Sequence, residues 1–471
     1  MKHVSIIVLA AYGALASFPM TAAAEAAADV SALRAEIAQL KAAYEERIQA
    51  LERRLNQVQA QSATTVAPAA RPVAAAANAF NPAISLILSG MTTSTKLDPR
   101  QDTSGAAGRE RRIQGLMPSG GEFNPEARSW NLGESELAIS ANIDPHFRGT
   151  LLAALSPANE VSVEEANIQT LGLGAGLNIK AGRFLSGIGY ANEQHPHAWD
   201  FSNASLPHQA FFGAQLGYDG MQIKWLAPTD MFLEFGLETG RARGFPSSDA
   251  ARNKNGLMSG SAFARLGDDV GREHSWRLGA SYFATQPGDR AYEDIDSSGT
   301  RVTNRFSGTS RTVGLDVVWK WKPHYGAQSF KFQSEWFRRK ESGQLTYNGD
   351  NAVGAFAAAA TGDLSSTQSG LYAQGVWGFA PAWRVGYRYD QLGRRATRIG
   401  LIDQGVLAAN DLPLLEAFEP KRQTLMLDWS RSEFSRIRLQ FAHDRTRPGA
   451  ADRQIWLHYI MSLGAHGAHK F

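Results

Sequence analysis

Apolar and polar residues alternate along most of the chain beyond residue 84. One segment carries apolar residues on one parity and small or charged residues on the other: Val313, Leu315, Val317, Trp319 and Trp321 against Gly314, Asp316 and Lys320. Successive side chains of a β-strand point to opposite faces of the sheet. The pattern therefore predicts strands with one face toward lipid and the other toward water.

Sixteen such segments are separated by clusters of Gly, Pro, Asn and Asp. They begin near Ile84, Trp130, Phe147, Val161, Leu177, Gln215, Met231, Leu257, Ser275, Thr312, Ser329, Leu371, Trp383, Gln423, Arg436 and Gln454. Short connections alternate with longer ones, which lie around 96–129, 188–212, 244–255, 288–307, 345–367 and 395–420. This arrangement predicts an all-β transmembrane fold, a sixteen-stranded antiparallel barrel over 80–471 with both termini on the side of the short turns.

The segment before the barrel is predicted to contain three parts. Lys2, an apolar run over 4–18 and small residues before Glu25 predict a cleavable signal peptide over 1–24, since a membrane anchor would need about 20 apolar residues. Apolar residues at spacings of three and four over 30–58 predict an α-helical coiled coil within 25–60, or else a helix that packs on its own domain. The Ala- and Pro-rich stretch 61–79 predicts a linker.

Composition excludes several classes of protein. The 48 Lys and Arg against 45 Asp and Glu give a net charge of only +3, which argues against a nucleic-acid partner. The chain has no cysteine, so disulfide and thiolate chemistry are excluded. A mean hydropathy of -0.29 would suit a soluble protein, but a barrel needs apolar residues only at alternate positions.

The last strand and one internal motif carry a resemblance to a known family. An alternating segment that ends on the aromatic Phe471 resembles the last strand of Gram-negative outer-membrane barrels, although His469 departs from that pattern. The Gly182-Arg183-Phe184 motif, which precedes a long connection, is similar to one in the phosphate-selective (O/P-type) porin superfamily of sixteen-stranded trimers. A dense run of lumenal arginines and lysines typical of that superfamily is not evident, so phosphate specificity is not implied.

The resemblance implies a location and partners. A protein of this family would lie in the cell outer membrane with its coil in the periplasm. It would contact outer-membrane lipid, form a homo-oligomer, expected to be a trimer, and pass small hydrophilic solutes. The seam of the coil does not by itself decide between two and three strands. No cofactor is predicted.

If the brief connection near 157 is counted as the second outer loop, the long connection over about 189–212 is the third, and the resemblance implies that it folds inward and narrows the channel. Its residues with binding chemistry are the candidates for a pore constriction or binding site: Glu193, His195, His197, Asp200 and His208. The three histidines are also candidate ligands for a transition metal. The alternative is that they are ordinary hydrogen-bonding residues of the loop, and no metal site is predicted.

Strand parity predicts a set of lumenal charges: Arg277, Arg384, Arg388, Arg436, Arg438 and Asp390. Opposite charges across water would give a transverse field and at most a slight preference for anions. Alternatively, the same charges are structural pairs within the wall.

The sequence predicts a passive diffusion porin rather than an enzyme. A catalytic GxSxG or HExxH motif and a phosphate-binding loop are absent from the sequence. Two other functions stay open at this point. One is a substrate-specific channel for a transition metal or an organic anion, and the other is a barrel-type lipid hydrolase with a Ser/His pair on its wall.

Overall fold

The computed structural model of the chain describes residues 82–99, 113–115, 127–156, 160–243 and 259–464. The predicted signal peptide, coiled coil and linker lie outside the described residues, as does Phe471. All of the described residues belong to one compact unit, Asn78–Phe471. No helix among them is long and apolar enough to cross a membrane.

The described residues form eighteen β-segments in one antiparallel sheet. Their bounds are β1 Ala83–Thr95, β2 Ser129–Leu132, β3 Ser135–Asn142, β4 Phe147–Leu155, β5 Val161–Thr170, β6 Leu177–Leu185, β7 Gly217–Leu226, β8 Phe232–Arg243, β9 Ser259–Val270, β10 His274–Thr285, β11 Arg290–Ile295, β12 Arg301–Trp321, β13 Ser329–Tyr347, β14 Ala360–Ala380, β15 Trp383–Ile399, β16 Lys421–Ser432, β17 Ser435–Arg447 and β18 Ala450–Gly464.

The eighteen segments make sixteen wall strands. Segments β2 and β3 pair in turn with β1, and segments β10 and β11 pair in turn with β12, so each of these two pairs is one interrupted strand. The sheet closes on itself because β1 pairs with β18, from Ser85 opposite Gly464 to Thr95 opposite Gln454. The predicted sixteen-stranded antiparallel barrel is confirmed.

The two faces of the wall differ as the alternation predicts. Along β12, Leu315 is 56% exposed on the outside, whereas its neighbour Asp316 is buried on the inside. The same holds along β17, where Ile437 and Phe441 are exposed and Arg438 is buried. The outer face of the barrel is therefore apolar, and its inner face is polar and charged.

Two predicted strand starts are wrong. Strand β12 begins at Arg301 rather than near Thr312, and β14 begins at Ala360 rather than near Leu371. In the parts of these strands that precede the predicted starts, the two faces are exchanged. Polar residues point outward, and the apolar Val302 and Leu364 are buried inside. An outward polar face suits water rather than lipid, so the predicted loops over 288–307 and 345–367 are partly strand that extends beyond the apolar band.

An apolar cluster lies on one side of the end of the barrel that carries these extensions, and we name this end the outer end. The cluster is built from β11, the extended strands and the connection after β15: Tyr292, Val302, Phe306, Leu345, Tyr347, Leu364, Ile399, Leu401, Leu407, Leu412, Leu414 and Leu415. That connection holds a helical turn, Gly400–Asp403, and two 3-10 turns, Ala409–Asp411 and Pro413–Leu415. The outer end is thus a packed cap on one side of the barrel.

Candidate functional site

The connection between β6 and β7, residues 186–216, is named the inner loop. The Asn192 side chain joins its two ends: Nδ2 donates to Ser186 O at 2.7 Å and to Leu216 O at 2.9 Å, while Oδ1 accepts from Leu216 N at 2.7 Å. Asn192 is fully buried. The loop therefore leaves the wall and returns to it at one closed base.

The first turn of the inner loop is fixed to the far wall by Glu335 of β13. The backbone N–H groups of Tyr190 and Ala191 each donate to this carboxylate at 3.0 Å. Gly189 lies just before them at a φ of 64°, and a Cβ there would lie 2.1 Å from Glu335 Oε2. Glycine at this position allows the backbone to approach the carboxylate.

Strands β7, β8 and β9 hold the neighbouring part of the loop through charge. Gly187 N donates to Glu238 Oε1 at 2.7 Å. Arg265 donates to Gly187 O and pairs with Glu193 at 2.8 Å, and Lys224 also pairs with Glu193 at 2.7 Å. Glu193, one of the predicted constriction residues, is thus an anchor to the wall.

A short helix, α1 (Leu206–Phe212), lies within the inner loop. Ser205 caps its first turn, accepting from His208 N, and Gly213 ends it at a φ of 60°, as is common for a left-handed C-cap. All seven helical residues are buried. Leu206 N donates to Asp390 Oδ1 of β15 at 2.9 Å, which fixes the start of the helix to the wall.

His208 lies within this helix and apart from the other two histidines of the loop. Its Nδ1 is hydrogen-bonded to Ser205 Oγ at 2.8 Å, and its ring packs edge-on against Phe337 and Tyr372. Burial, aided by the charge of Arg388, lowers the pKa of His208 to about 3. His208 is therefore a neutral packing residue at physiological pH.

His195 and His197 lie together against the opposite wall. Their rings stack at 6.0 Å between centroids. His195 Nδ1 lies 3.1 Å from Glu164 Oε2, and its Nε2 lies 2.9 Å from Glu165 Oε1, while His197 Nδ1 lies 2.8 Å from Glu136 Oε1. Burial alone would lower the pKa of His195, but the carboxylates of Glu164, Glu165 and Glu136 raise it well above its ordinary value.

A β-bulge allows two consecutive glutamates to reach one imidazole. In the pairing of β4 with β5, Leu152 lies opposite Glu165 and Ala153 lies opposite Val163, so Glu164 is the extra residue. Successive residues of a regular strand point to opposite faces, whereas a bulge re-aims a side chain. Both carboxylates consequently contact His195.

Asp200 lies at a cluster of basic residues on another part of the wall. It pairs with Arg384 at 3.2 Å and contacts Lys331, and Gln374 Nε2 donates to it at 3.1 Å. Burial alone would raise the pKa of Asp200, but the charges of Lys331 and Arg384 hold it well below its usual range. The side chains of Arg384 and Lys331 are 31% and 22% exposed and that of Asp200 only 4%, so the cations face the open space.

Each of the six predicted lumenal charges contacts the inner loop. The contacts are Arg277 to Gly189 O (3.4 Å), Arg384 to Asp200 (3.2 Å), Arg388 to Asn203 O (2.9 Å), Arg436 to Trp199 O (3.2 Å), Arg438 to Trp199 O (2.8 Å) and Asp390 to Leu206 N (2.9 Å). Several also pair within the wall, as Arg438 does with Asp428 at 2.7 Å. Arg277, Arg388, Asp390 and Arg438 are buried, so they are structural pairs and loop contacts, whereas Arg384 and Arg436 are partly exposed.

The inner loop crosses the barrel. Its hydrogen bonds reach β3 and β5 on one side and β13 and β15 on the opposite side of the closed sheet. An open cavity of about 320 Å³ remains beside it, lined in part by Glu134, Glu164, His197, Trp199 and Arg243. The space beside the loop is thus lined by both polar and apolar residues, and it carries carboxylates on its wall.

A Ser/His pair of the kind that a barrel hydrolase would need also borders this cavity. Ser89 Oγ lies 2.8 Å from His458 Nε2. The other ring nitrogen of His458 lies 3.2 Å from the hydroxyl of Ser202, which belongs to the inner loop. The third member is thus a hydroxyl rather than the carboxylate of a catalytic triad, and the pair fastens the loop to β18.

The sequence prediction did not include four of the wall carboxylates that hold the inner loop, namely Glu136, Glu164, Glu165 and Glu238. A signal for Glu136 was present, because Leu137 and Ile139 occupy the opposite parity and would face lipid. A signal for Glu164 was absent, since the bulge depends on the register with the neighbouring strand.

Comparison with known proteins gives one relative and several similar folds. No family model matches the chain. The chain is 32% identical over 373 residues to an uncharacterized protein of Aquifex aeolicus (strain VF5). The matched region covers 74% of this chain and 72% of that protein. The chain therefore belongs to the same family as that protein.

Similar solved structures are outer-membrane proteins of low sequence identity. They include OmpT of Vibrio cholerae in a trimer form (TM-score 0.46, 8% identity, 81% of this chain and 99% of that one) and the outer-membrane channel DcaP of Acinetobacter baumannii (0.45, 11%, 81% and 97%). An anion-selective porin from Comamonas acidovorans is also similar (0.43, 10%, 81% and 99%).

Proposed function

We propose that this protein is an outer-membrane channel through which small hydrophilic solutes or ions diffuse passively, and that the inner loop narrows it. The observation that carries the proposal is a closed barrel with an apolar outer face, a charged inner face and a loop that crosses the interior. A barrel of this kind satisfies its backbone hydrogen bonds between strands, so it can lie in a bilayer.

The attachment of the inner loop supports a constriction of fixed size. The loop is closed at Asn192 and bonded to opposite walls through Glu335 and Glu136. A loop held in this way occupies part of the cross-section of the barrel and leaves the cavity beside it. Solutes that pass are then selected mainly by size, as in a general diffusion pore.

The charges around the loop support a weak preference for anions. Arg384 and Lys331 are partly exposed, whereas the carboxylates of Asp200 and Asp428 that pair with them are buried. On the side of β3 and β5 the carboxylates face the cavity, together with Arg243. Opposite signs on facing walls give a transverse field and modest selectivity.

Cysteine labelling in a planar bilayer tests the proposal. The chain has no cysteine, so Trp199→Cys would be the single thiol and would lie on the cavity. We expect ohmic conductance from the purified protein and a stepwise fall after a charged, membrane-impermeant methanethiosulfonate reagent is added. The matched control is Leu315→Cys, which lies on the apolar outer face and should give no change.

Other results would count against a general pore. Folded protein without conductance would reject channel function altogether. A saturable block by one added metal or organic anion would favour a substrate-specific channel.

We also propose that the protein self-associates through the predicted coiled coil over 25–60. Its apolar seam would be exposed on a lone helix, and a helix of this length is marginal in water without a partner. Three chains would match the symmetry of a trimeric porin. The test is the mass of the detergent-solubilised protein with and without residues 30–59: a monomer with the coil intact would contradict self-association.

A further inference from the structure

We infer that Glu136, Glu164 and His195 form a binding site for a divalent transition-metal cation such as Zn²⁺, which fastens the inner loop to β3 and β5. The site goes beyond the proposed channel function. Its test measures binding, so its outcome does not depend on whether the barrel conducts.

The donor atoms already lie close to the spacing that a metal requires. One atom from each of the three side chains lies within 4.8 Å of the other two. His195 Nδ1 is 3.1 Å from Glu164 Oε2 and 3.7 Å from Glu136 Oε2. Ligands of a tetrahedral Zn²⁺ with bonds of about 2.0–2.1 Å are roughly 3.3 Å apart, so only small movements are needed.

Glu136 supplies the observation that points to a missing cation. Its side chain is 1% exposed, and its Oε2 accepts no hydrogen bond from the described residues. The other oxygen is held by His197 Nδ1 at 2.8 Å, which aims Oε2 toward His195. A buried carboxylate oxygen without a donor is costly, and a metal ion would satisfy it.

The hydrogen bond at the second ring nitrogen of His195 matches that of a metal-binding imidazole. Its Nε2 lies 2.9 Å from Glu165 Oε1, so Nε2–H can donate to that carboxylate while Nδ1 is directed at Glu136 and Glu164. Carboxylate–histidine–metal arrangements fix the ring and raise its basicity as a ligand. The bulge at Glu164 makes this possible, because it presents one glutamate to each ring nitrogen.

Charge and access also fit a divalent ion. Two carboxylates and a neutral imidazole carry a charge of -2, which a divalent cation neutralises, and binding displaces the proton from Nδ1. Glu164 lines the open cavity of the barrel, so an ion can reach the site from the lumen. Water from the cavity would supply the remaining coordination position.

Zn²⁺ binding to the full-length protein in detergent tests the inference by isothermal titration and equilibrium dialysis. The parent protein and all variants in this test also carry His466→Ala and His469→Ala, since these two histidines near the end of the chain could bind Zn²⁺ independently of the site. We expect one saturable Zn²⁺ per chain, with affinity lowered at least tenfold by Glu164→Gln or His195→Gln. The matched control, Glu238→Gln, removes another buried carboxylate that anchors the loop and should leave Zn²⁺ affinity unchanged.

Three results would overturn the inference. They are an absence of saturable binding, ligand variants that bind as tightly as the parent, and an equal loss in Glu238→Gln. If a ligand variant fails to show the heat-modifiable mobility of a folded barrel, the zinc-edge X-ray absorption of the loaded parent protein decides. Multiple scattering from an imidazole supports the site, and a shell without an imidazole contradicts it.

Discussion

Asn192 and Leu216 bond to each other in both directions across the base of the inner loop. The Asn192 side chain donates to the Leu216 carbonyl at 2.9 Å and accepts from the Leu216 amide at 2.7 Å. Both backbone groups are buried and would otherwise lack these partners. This side chain and the backbone hydrogen bond from Ser186 N to Leu216 O at 2.9 Å together hold the two ends of the segment that crosses the barrel.

Asn192→Ala should loosen the inner loop without unfolding the barrel. The change removes the acceptor of the buried Leu216 N–H, at a cost of about 1–3 kcal/mol, and the Asn192 donor to Ser186 O, whereas the Leu216 carbonyl still accepts from Ser186 N. Hydrogen–deuterium exchange should become faster over residues 186–216 and stay unchanged in β12. Asn131→Ala, which removes an exposed side-chain hydrogen bond, is the control and should change neither. Unaltered exchange in Asn192→Ala would show that other contacts hold the loop.

Arg384→Gln should shift the selectivity of the channel toward cations. The change removes a partly exposed positive charge and leaves Asp200 and Asp428 less neutralised. A unit charge about 4 Å from an ion in water is worth about 1 kcal/mol, so the anion-to-cation permeability ratio should fall several-fold. Reversal potentials in a KCl gradient measure this ratio. Arg398→Gln, whose charge is 82% exposed at the outer end of β15, should have little effect.

The outer end should loosen in acid because of Asp296. Burial raises the pKa of this carboxyl, but hydrogen bonds from Ser298, Tyr347, Phe356 and Thr300 outweigh it and lower the pKa to about 2. A lowered pKa means that the folded cap favours the ionised form. Its stabilisation is therefore complete above the unfolded value of about 4 and is lost as the pH falls toward 2.

Pepsin cleavage measures this loss directly. Cleavage in the connection between β13 and β14 should accelerate between pH 4 and pH 2 in the parent protein. In Asp296→Asn, which cannot ionise, the rate should be high already at pH 4 and should vary less over that range. An identical pH profile in the two proteins would mean that Asp296 does not control the cap.

The sequence predicted strand bounds better where a strand faces lipid than where it extends beyond the apolar band. Alternation located the start of β6 at Leu177 and of β13 at Ser329, because lipid requires apolar residues at every second position there. The same signal failed for β12 and β14, since their outer parts are polar on the outside and apolar on the inside. Alternation identifies a two-faced strand, but it does not say which face meets water.

Of the residues in the candidate site, only those of the inner loop were predictable from the sequence. His195 and His197 stand out in the sequence because histidines are concentrated in that connection. Their partners Glu136 and Glu164 lie on distant strands, and barrel closure and a bulge bring them to the histidines. His208 belongs to the same stretch of sequence, yet α1 carries it into the apolar cluster around Phe337.

The most direct test of the central claim is the single-channel conductance of a variant that lacks residues 194–205, measured in planar bilayers beside the parent protein. Removing residues 351–354, in the connection between β13 and β14 and outside the inner loop, is the control. If the inner loop narrows the pore, the first deletion should raise the conductance of a barrel that still shows heat-modifiable mobility, and the second should leave it unchanged. An unchanged conductance after the first deletion would contradict the account.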